Sequence, residues 1–581
     1  MRTKRPLNRR LWLPIVCLFL LPVLLPAQDL EGFWSGIRNR WQNDPVLING
    51  GLSAGMMRSF VQGMPARRDG FNWNLNANLN IDLLGIAIPF SAHVSDGNAL
   101  YNLPSYQFVG FSPSYKWITL HGGDRSMEFS PYTLSGHNFT GGGLELTPGK
   151  FRFAAMYGRL KRATAGDFTA NQNLDPSFRR MGWGFKAGYG TAEDFIDLIL
   201  FSASDDLNSV DTTFVQNLPP ATNVVMGVTG RKKLSQQFSL LVDFAHSIFT
   251  DDATAPMLED TDRNLMNSAF GLLKPRVSTY QANALRSELQ WAMKRINWRL
   301  SYERIDPNYR TLGTIFINND LENYTVGAGF QLFKKLGINL NGGLQRNNLA
   351  GTQATTLRRL IGSISANLSL NDRLSFNAGY SNFYNTQKVR ALINPVVPVD
   401  SIFLAQINEN ATFGASLVVG KEKNGTLSIM LAYQNANALE NDELLPGASD
   451  FYNANFGYSH QFKGIGLQAY GALNVSRLLS DDFDNWNVGP TVSLSKSWLD
   501  KKLSTQLSSS WTGVWQQWNL KNNILNLQLG ASYQMLKDHQ LSFRFSLINR
   551  KVLQNIGSPQ FTEGIASLNY GYTFSQSAKR K

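Results

Sequence analysis

The residues in this chain that could carry out chemistry are few and scattered. No two of its six histidines stand at the spacing of a helical metal pair. The one cysteine, Cys17, falls near the amino terminus, so the rest of the chain has neither a thiol ligand nor a disulfide. We therefore expect no metal site, no cofactor and no catalytic residues. The histidines are His93, His121, His137, His246, His460 and His539.

One segment, residues 122–138, gathers polar side chains of several kinds in the sequence GGDRSMEFSPYTLSGHN. A serine and a histidine in one loop could serve a hydrolase, but no nucleophile, base and orienting acid stand at a recognisable spacing. The same residues would suit the constriction of a channel, where fixed charges select among solutes. The candidate constriction residues are Asp124, Arg125, Glu128 and His137.

The elements that must position these residues are β-strands with one apolar and one polar face. Residues 71–83 alternate without a fault, and their polar face is a ladder of asparagines rather than the charged surface usual in a soluble antiparallel sheet. We expect the apolar face to contact lipid and the amides to face a water-filled lumen. The apolar residues include Phe71, Trp73, Leu75 and Leu79, and the lumen-facing ladder is Asn72, Asn74, Asn76 and Asn78.

The last strand predicted by this alternation ends on an aromatic residue. Its apolar face carries Leu568, Tyr570, Tyr572 and Phe574, and residues 575–581 follow as a basic tail. The pattern resembles the closing strand of porin-like, Gram-negative outer-membrane β-barrels, in which such an aromatic is the assembly signal. The resemblance implies two partners, the barrel-assembly machinery and the lipids of the outer membrane, and it identifies no activity.

The amino-terminal residues predict export. Residues 1–27 combine five basic side chains with an apolar run and a small residue before Gln28, which is typical of a cleaved signal peptide. A membrane anchor is the alternative, but the run is shorter than the roughly 20 residues that a spanning helix needs. Residues 28–45 would then form a short amphipathic segment at the periplasmic rim or in the lumen.

Composition favours a membrane barrel over a soluble or nucleic-acid-binding protein. Hydrophobic residues make up 43% of the chain, charged residues only 17%, and no clustered basic face accompanies the aromatics. A soluble β-sandwich or propeller would need more charge on its exposed faces. The alternating segments are separated at regular intervals by connections, which are short turns at one rim and long loops at the other. We predict an all-β fold, a single closed antiparallel transmembrane barrel of about 26 strands (range 22–26) over residues 46–574.

Three functions are compatible with this fold. The first is a porin-like channel for small polar solutes, with loops that constrict the lumen. The second is a scaffold or conduit for a secreted or surface-displayed partner, and the third, with no positive motif, is an outer-membrane enzyme. Residues 28–45 are too short for a plug domain, so loops or a separate protein must fill so wide a lumen. The candidate filling loops, in order, are residues 122–138, 250–276 and 386–408. Residues 304–323 are a further segment of ordered composition, which we expect to pack over strand ends, with an inward fold or a surface partner as the alternatives.

Overall fold

The computed structural model describes most of the chain after residue 45. The predicted signal peptide and residues 28–45 lie outside the described part. Within that part, no helix has the length and apolar character needed to cross a membrane. The described ranges are 46–66, 70–83, 86–95, 107–164, 176–210, 218–258, 271–389, 402–441, 443–481, 483–554 and 559–577.

Twenty-eight strand segments form one antiparallel sheet, which closes because β1 pairs with both β2 and β28. The segments are β1 Val46–Gln62, β2 Phe71–Leu83, β3 Ile86–Ser95, β4 Gln107–Phe111, β5 Ser114–Tyr115, β6 Ile118–Ser126, β7 Asn138–Leu146, β8 Phe151–Lys161, β9 Arg179–Gly190, β10 Phe195–Asp206, β11 Thr222–Lys233, β12 Phe238–Thr250, β13 Thr279–Ala292, β14 Ile296–Ile305, β15 Leu321–Leu332, β16 Leu336–Asn347, β17 Thr355–Ser369, β18 Leu374–Val389, β19 Ile402–Val419, β20 Gly425–Glu440, β21 Glu443–Leu444, β22 Ser449–Phe462, β23 Leu467–Ser480, β24 Phe483–Trp498, β25 Leu503–Gln516, β26 Asn519–Leu536, β27 His539–Val552 and β28 Phe561–Ser577. Two single-turn 3-10 helices, Leu207–Ser209 and Lys463–Ile465, lie in connections.

The closed barrel has 26 strands. Segments β4 and β5 together make one strand between β3 and β6, and the two-residue β21 only extends a hairpin from the end of β20. The predicted fold class and strand number are therefore confirmed, and so is the resemblance to outer-membrane barrels at the level of fold.

The closing strand pairs with β1 from Thr562 to Ser577. Gly50 lies opposite Phe574, and the pairing continues to Leu47 opposite Ser577. The ring of Phe574 stacks on Tyr572 with centroids 5.2 Å apart. Three residues that the sequence assigned to the tail are thus part of the last strand.

The exterior of the barrel is apolar, as the alternation predicts. Phe71 and Leu75 are 53% and 48% exposed, and they alternate with the asparagines of β2. Farther round the barrel, in β8 and β10, Tyr157 and Leu198 are 63% and 58% exposed. Apolar side chains that are this exposed match hydrocarbon rather than water, as in the outward apolar band of membrane barrels. The closed barrel also satisfies its own backbone polar groups, which lipid cannot do.

The two rims differ as predicted, with connections of two to five residues at one rim and mostly longer loops at the other. The chain does not reverse at Ser112 and Pro113. Proline has no N–H to donate to a sheet ladder, so this position interrupts a strand and separates β4 from β5. The chain reverses instead at Lys116, whose φ is 52°.

The loop boundaries need two further corrections. Residues 122–126 belong to β6, and residues 386–389 and 402–408 belong to β18 and β19, so both predicted loops are shorter than expected. At the long-loop rim, β25 and β26 are joined by Gln517 and Trp518 alone, with φ of 49° and 64°. Positive φ at both central residues is the geometry of a tight hairpin turn. Because neither residue is glycine, the sequence did not predict a turn here.

Candidate functional site

The connection between β6 and β7, residues 127–137, folds into the barrel, and we call it the inner loop. Met127, Phe129, Tyr132 and Leu134 are each at most 5% exposed. They pack against wall side chains on the face opposite the lipid-facing residues, so the loop lies within the lumen. The wall side chains in this cluster are Phe139, Ala154, Met156, Leu160, Ile199, Phe201, Ala203, Val225, Ala245, Phe249, Ala282, Ala284, Ile305 and Leu321.

Glycines in the wall make room for the inner loop. A Cβ atom on Gly184 of β9 would lie 2.6 Å from Cε2 of Phe129. A Cβ atom on Gly227 of β11 would lie 2.9 Å from Cγ2 of Thr133. Both distances are shorter than real Cβ contacts, so any larger residue at either glycine must displace the loop side chain that packs on it.

A second loop, residues 306–320 between β14 and β15, packs on the inner loop. The hydroxyl of Tyr309 donates to the carbonyl oxygen of Tyr132 at 2.6 Å, and the Thr311 hydroxyl donates to that of Thr133 at 2.9 Å. The amide of Ser135 donates to the Gly313 carbonyl at 3.1 Å. We call the two loops together the loop cluster, because each satisfies polar groups of the other.

The loop cluster is also hydrogen-bonded to the barrel wall. The Tyr132 hydroxyl donates to Oε1 of Glu303 at 2.6 Å. Buried Asn223 accepts from the amide of Leu312 at 3.1 Å, and the Ser247 hydroxyl donates to the Arg310 carbonyl at 2.6 Å. Because buried polar groups are costly unless they are paired, these bonds fix where the loops sit.

Burial controls the protonation of the two loop tyrosines. Desolvation raises the pKa of the Tyr132 phenol, and its hydrogen bond to Glu303 raises that pKa further. Desolvation likewise raises the pKa of the Tyr309 phenol. Both hydroxyls therefore remain protonated donors well above neutral pH.

Five charged side chains of the covered wall are paired with one another. Arg152 makes two bonds to the Asp197 carboxylate, at 2.9 Å and 3.0 Å. Glu288 lies 2.8 Å from Arg286 and 3.3 Å from Arg299. These pairs neutralise the charge at their positions on this side of the lumen.

The predicted constriction residues do not converge on one point. Asp124 and Arg125 are consecutive in β6 and point to opposite faces. Asp124 accepts from the amide of Val109 at 3.2 Å, whereas Arg125 crosses Gly110 on the lumen side. Nη1 of Arg125 then donates to the Ser91 hydroxyl at 3.2 Å.

The other two predicted constriction residues lie in the inner loop. Glu128 accepts a hydrogen bond from the Ser135 hydroxyl at 3.3 Å. Nδ1 of His137 lies 2.7 Å from the carbonyl oxygen of Asn138, and burial lowers the pKa of this histidine. Both side chains bond within the loop region, so they are placed to shape the loop rather than to face a common point.

The other candidate filling loops behave differently. In the described part of residues 250–276, Leu273 packs on Val224 and Ile248, which lie on the outer face of the barrel. This part of the loop therefore folds outward, against expectation. For residues 386–408, the part between the two strands lies outside the described residues.

The wall from β15 through β28 to β2 carries amides and hydroxyls on its lumen face. Asn76, one of the predicted ladder residues, donates to the Ser53 hydroxyl at 3.2 Å and contacts His93. Farther round, Asn474 donates to Thr491 at 3.0 Å. The loop cluster thus covers one side of the lumen, and a polar wall faces it.

No metal centre is present in the described part of the chain, where no three histidine, cysteine or acidic residues are grouped to hold an ion. The packing of residues 306–320 on the inner loop was not predicted. The ordered composition of residues 304–323 was the available signal, and it favoured a loop packed over strand ends above an inward fold or a surface partner.

No protein-family model matches this chain, and no curated protein matches it. Among solved structures, the P pilus usher (PapC) translocation pore is 12% identical, with 91% of this chain and 100% of that chain covered and a TM-score of 0.37. A mutant ferric enterobactin receptor (PfeA) from Pseudomonas aeruginosa is 12% identical, with 90% and 80% covered and a TM-score of 0.38. The Acinetobacter baumannii protein OccAB2 is 10% identical, with 61% and 92% covered and a TM-score of 0.28.

Proposed function

We propose that this chain is a porin-like channel of the Gram-negative outer membrane that passes small polar solutes. The observation that carries the proposal is the contrast between the two sides of the lumen. The loop cluster fills space against one wall, while amides and hydroxyls line the other. Such a lumen is narrowed but remains polar, which suits the passage of hydrated solutes.

Barrel width makes the narrowing necessary. Barrels of 16 to 18 strands already leave an aqueous channel, and those of about 22 strands are plugged. This barrel has 26 strands, so an empty lumen would breach the permeability barrier of the membrane. The loop cluster supplies internal material that reduces the open cross-section.

The direct test is conductance of the purified full-length protein in planar lipid bilayers. We expect discrete current steps and swelling of proteoliposomes in small neutral sugars. Flotation with the liposomes would establish insertion independently. A protein that inserts, yet passes neither ions nor sugars, would contradict the channel.

A conduit for a secreted or surface-displayed partner is the second candidate, and the strand number favours it. A lumen of 26 strands is wider than small solutes require, and the loop cluster covers only one side. Purification from outer membranes in mild detergent separates the two functions. A stoichiometric second polypeptide that blocks conductance would favour the conduit, and a lone conducting protein would favour the channel.

A further inference from the structure

Arg544 is an unpaired cation on the lumen wall. It lies in β27 between Phe543 and Phe545, and Phe543 is exposed on the exterior, so the arginine side chain points to the lumen. Among the residues that the structure describes, its guanidinium has neither a hydrogen bond nor an ion pair. This sets it apart from Arg152, Arg286 and Arg299 on the covered wall, which all have acidic partners.

Among the described residues, no acidic side chain lies beside Arg544 on the wall. The residue opposite Arg544 is Ser567, and Glu563 faces the lumen four residues farther along β28, which corresponds to roughly 13 Å. Toward the other rim, Asp538 lies six residues away in the turn before β27. At about 3.3 Å per residue, six residues correspond to roughly 20 Å. The positive charge is therefore available to a solute in the lumen.

Arg544 lines a cleft of about 330 Å³ on the lumen wall, at the small end of the range for ligand sites. The side chains that share the cleft are neutral hydroxyls and amides. They are Ser504, Gln506, Ser532, Ser542 and Asn569. Each can both donate and accept hydrogen bonds, whereas the guanidinium only donates.

Part of this lining is held in place by its own hydrogen bonds. Gln540 donates to the Ser532 hydroxyl at 2.6 Å, and the Ser532 and Ser542 hydroxyl oxygens lie 3.2 Å apart. The side chains of Ser504, Gln506 and Asn569 have no hydrogen-bond partners among the described residues, so their polar atoms are free for a ligand. The cleft thus offers one cationic fork beside several neutral donors and acceptors.

We propose that this cleft binds a small polyhydroxylated solute with an anionic group, such as a sugar phosphate or a sugar acid. The guanidinium would hold the phosphate or carboxylate through charge-assisted, bidentate hydrogen bonds. The serine hydroxyls and the amides would bind the hydroxyls of the same solute. The inference deepens the proposed function, because it names the solute class that the channel would favour.

Isothermal titration calorimetry on the detergent-purified full-length chain tests this site without depending on conductance. The probes are glucose 6-phosphate, gluconate, glucose and inorganic phosphate. We expect the two hydroxylated anions to bind at least tenfold more tightly than glucose or phosphate, because only they use both halves of the cleft. Equal binding of inorganic phosphate and glucose 6-phosphate would overturn the role of the hydroxyl lining.

Two variants assign the binding to the cleft. Arg544→Gln removes an exposed, unpaired charge, so the barrel should assemble, and affinity for glucose 6-phosphate should fall at least tenfold. The matched control is Arg359→Gln, which removes another lumen arginine, one that already donates to Gln345 at 3.0 Å and lies over the Phe383 ring. The control should leave the affinity unchanged.

The outcomes separate this site from the proposed function. Conductance without binding of either hydroxylated anion would overturn the site and leave the channel standing. Binding that Arg544→Gln abolishes, in a protein that passes no current, would support the site and contradict the channel. Equal losses in the two arginine variants would show a general charge effect and would also overturn the site.

Discussion

At the scale of single residues, two wall glycines decide whether the inner loop can reach its place. Gly184→Val would put side-chain atoms where the Phe129 ring now lies, and Gly227→Val would do the same at Thr133. Overpacking of this kind costs about 1–3 kcal/mol, and displacement of the loop relieves it. We expect both variants to show larger single-channel conductance in planar bilayers than the unaltered protein.

A third glycine provides the matched control for that experiment. Gly51 faces the same lumen from β1, and the nearest atom to a Cβ placed there is the carbonyl oxygen of Tyr572 at 3.7 Å. Gly51→Val therefore adds the same side chain without touching the loop cluster. If all three variants conduct alike, the inner loop does not limit the pore.

The two buried tyrosines predict a response to alkaline pH. Burial raises the pKa of Tyr132 and Tyr309 above the value near 10 that tyrosine has in an unfolded chain. The folded state holds these protons more tightly, so their contribution to stability is complete below pH 10. It is lost as the pH rises through the folded-state pKa values.

The double variant Tyr132→Phe, Tyr309→Phe isolates this contribution. Loss of the bond from Tyr132 to the Glu303 carboxylate alone should cost about 1.5–3 kcal/mol at neutral pH. Urea unfolding of both proteins from pH 8 to pH 11.5 measures the effect. We expect the difference in unfolding free energy to shrink above pH 10, and a constant difference would contradict the assignment.

At the scale of strands, the sequence predicted what depends on alternation and missed what depends on contacts. Residues 71–83 alternate fully, and β2 follows them. Residues 122–126 contain two glycines and no apolar residue, so they give no period-two signal although they belong to β6. Gln517 and Trp518 reverse the chain without a glycine, because the pairing of β25 with β26 imposes the turn.

The closing strand gives a prediction about assembly. Phe574 stacks on Tyr572 on the lipid face, and Thr573 between them faces the lumen. Phe574→Asp should lower the amount of folded barrel in outer membranes, because it puts a charge on the lipid face and removes the terminal aromatic. Thr573→Asp, one position away on the lumen face, is the control and should assemble normally. Heat-modifiable mobility on gels measures folded barrel, and equal levels of the two variants would count against the signal.

At the scale of the whole molecule, the sequence predicted a filled lumen but not how it is filled. The strand number implied that a loop or a partner must occupy the space. Residues 122–138 were the first choice from their glycines and polar groups, and their central part does enter the lumen. Tyr309 is 177 residues from Tyr132, so no local pattern could pair the two loops. Arg544 could have been found, since it shares a polar face with Ser542 and Ser546.

The loop cluster as a unit gives the last prediction, which concerns permeability. Replacing residues 128–136 and 307–319 with short glycine–serine linkers should raise conductance several-fold and should sensitise cells to large antibiotics. Either replacement alone should give a smaller increase, because each loop also holds the other through bonds such as that from Tyr309 to Tyr132. The control is a shortening of residues 252–277, whose described part packs outside the barrel at Leu273. This shortening should leave conductance unchanged. If the double replacement assembles and conducts no better than this control, the loops do not fill the pore, and a separate protein in the lumen becomes the better account of so wide a barrel.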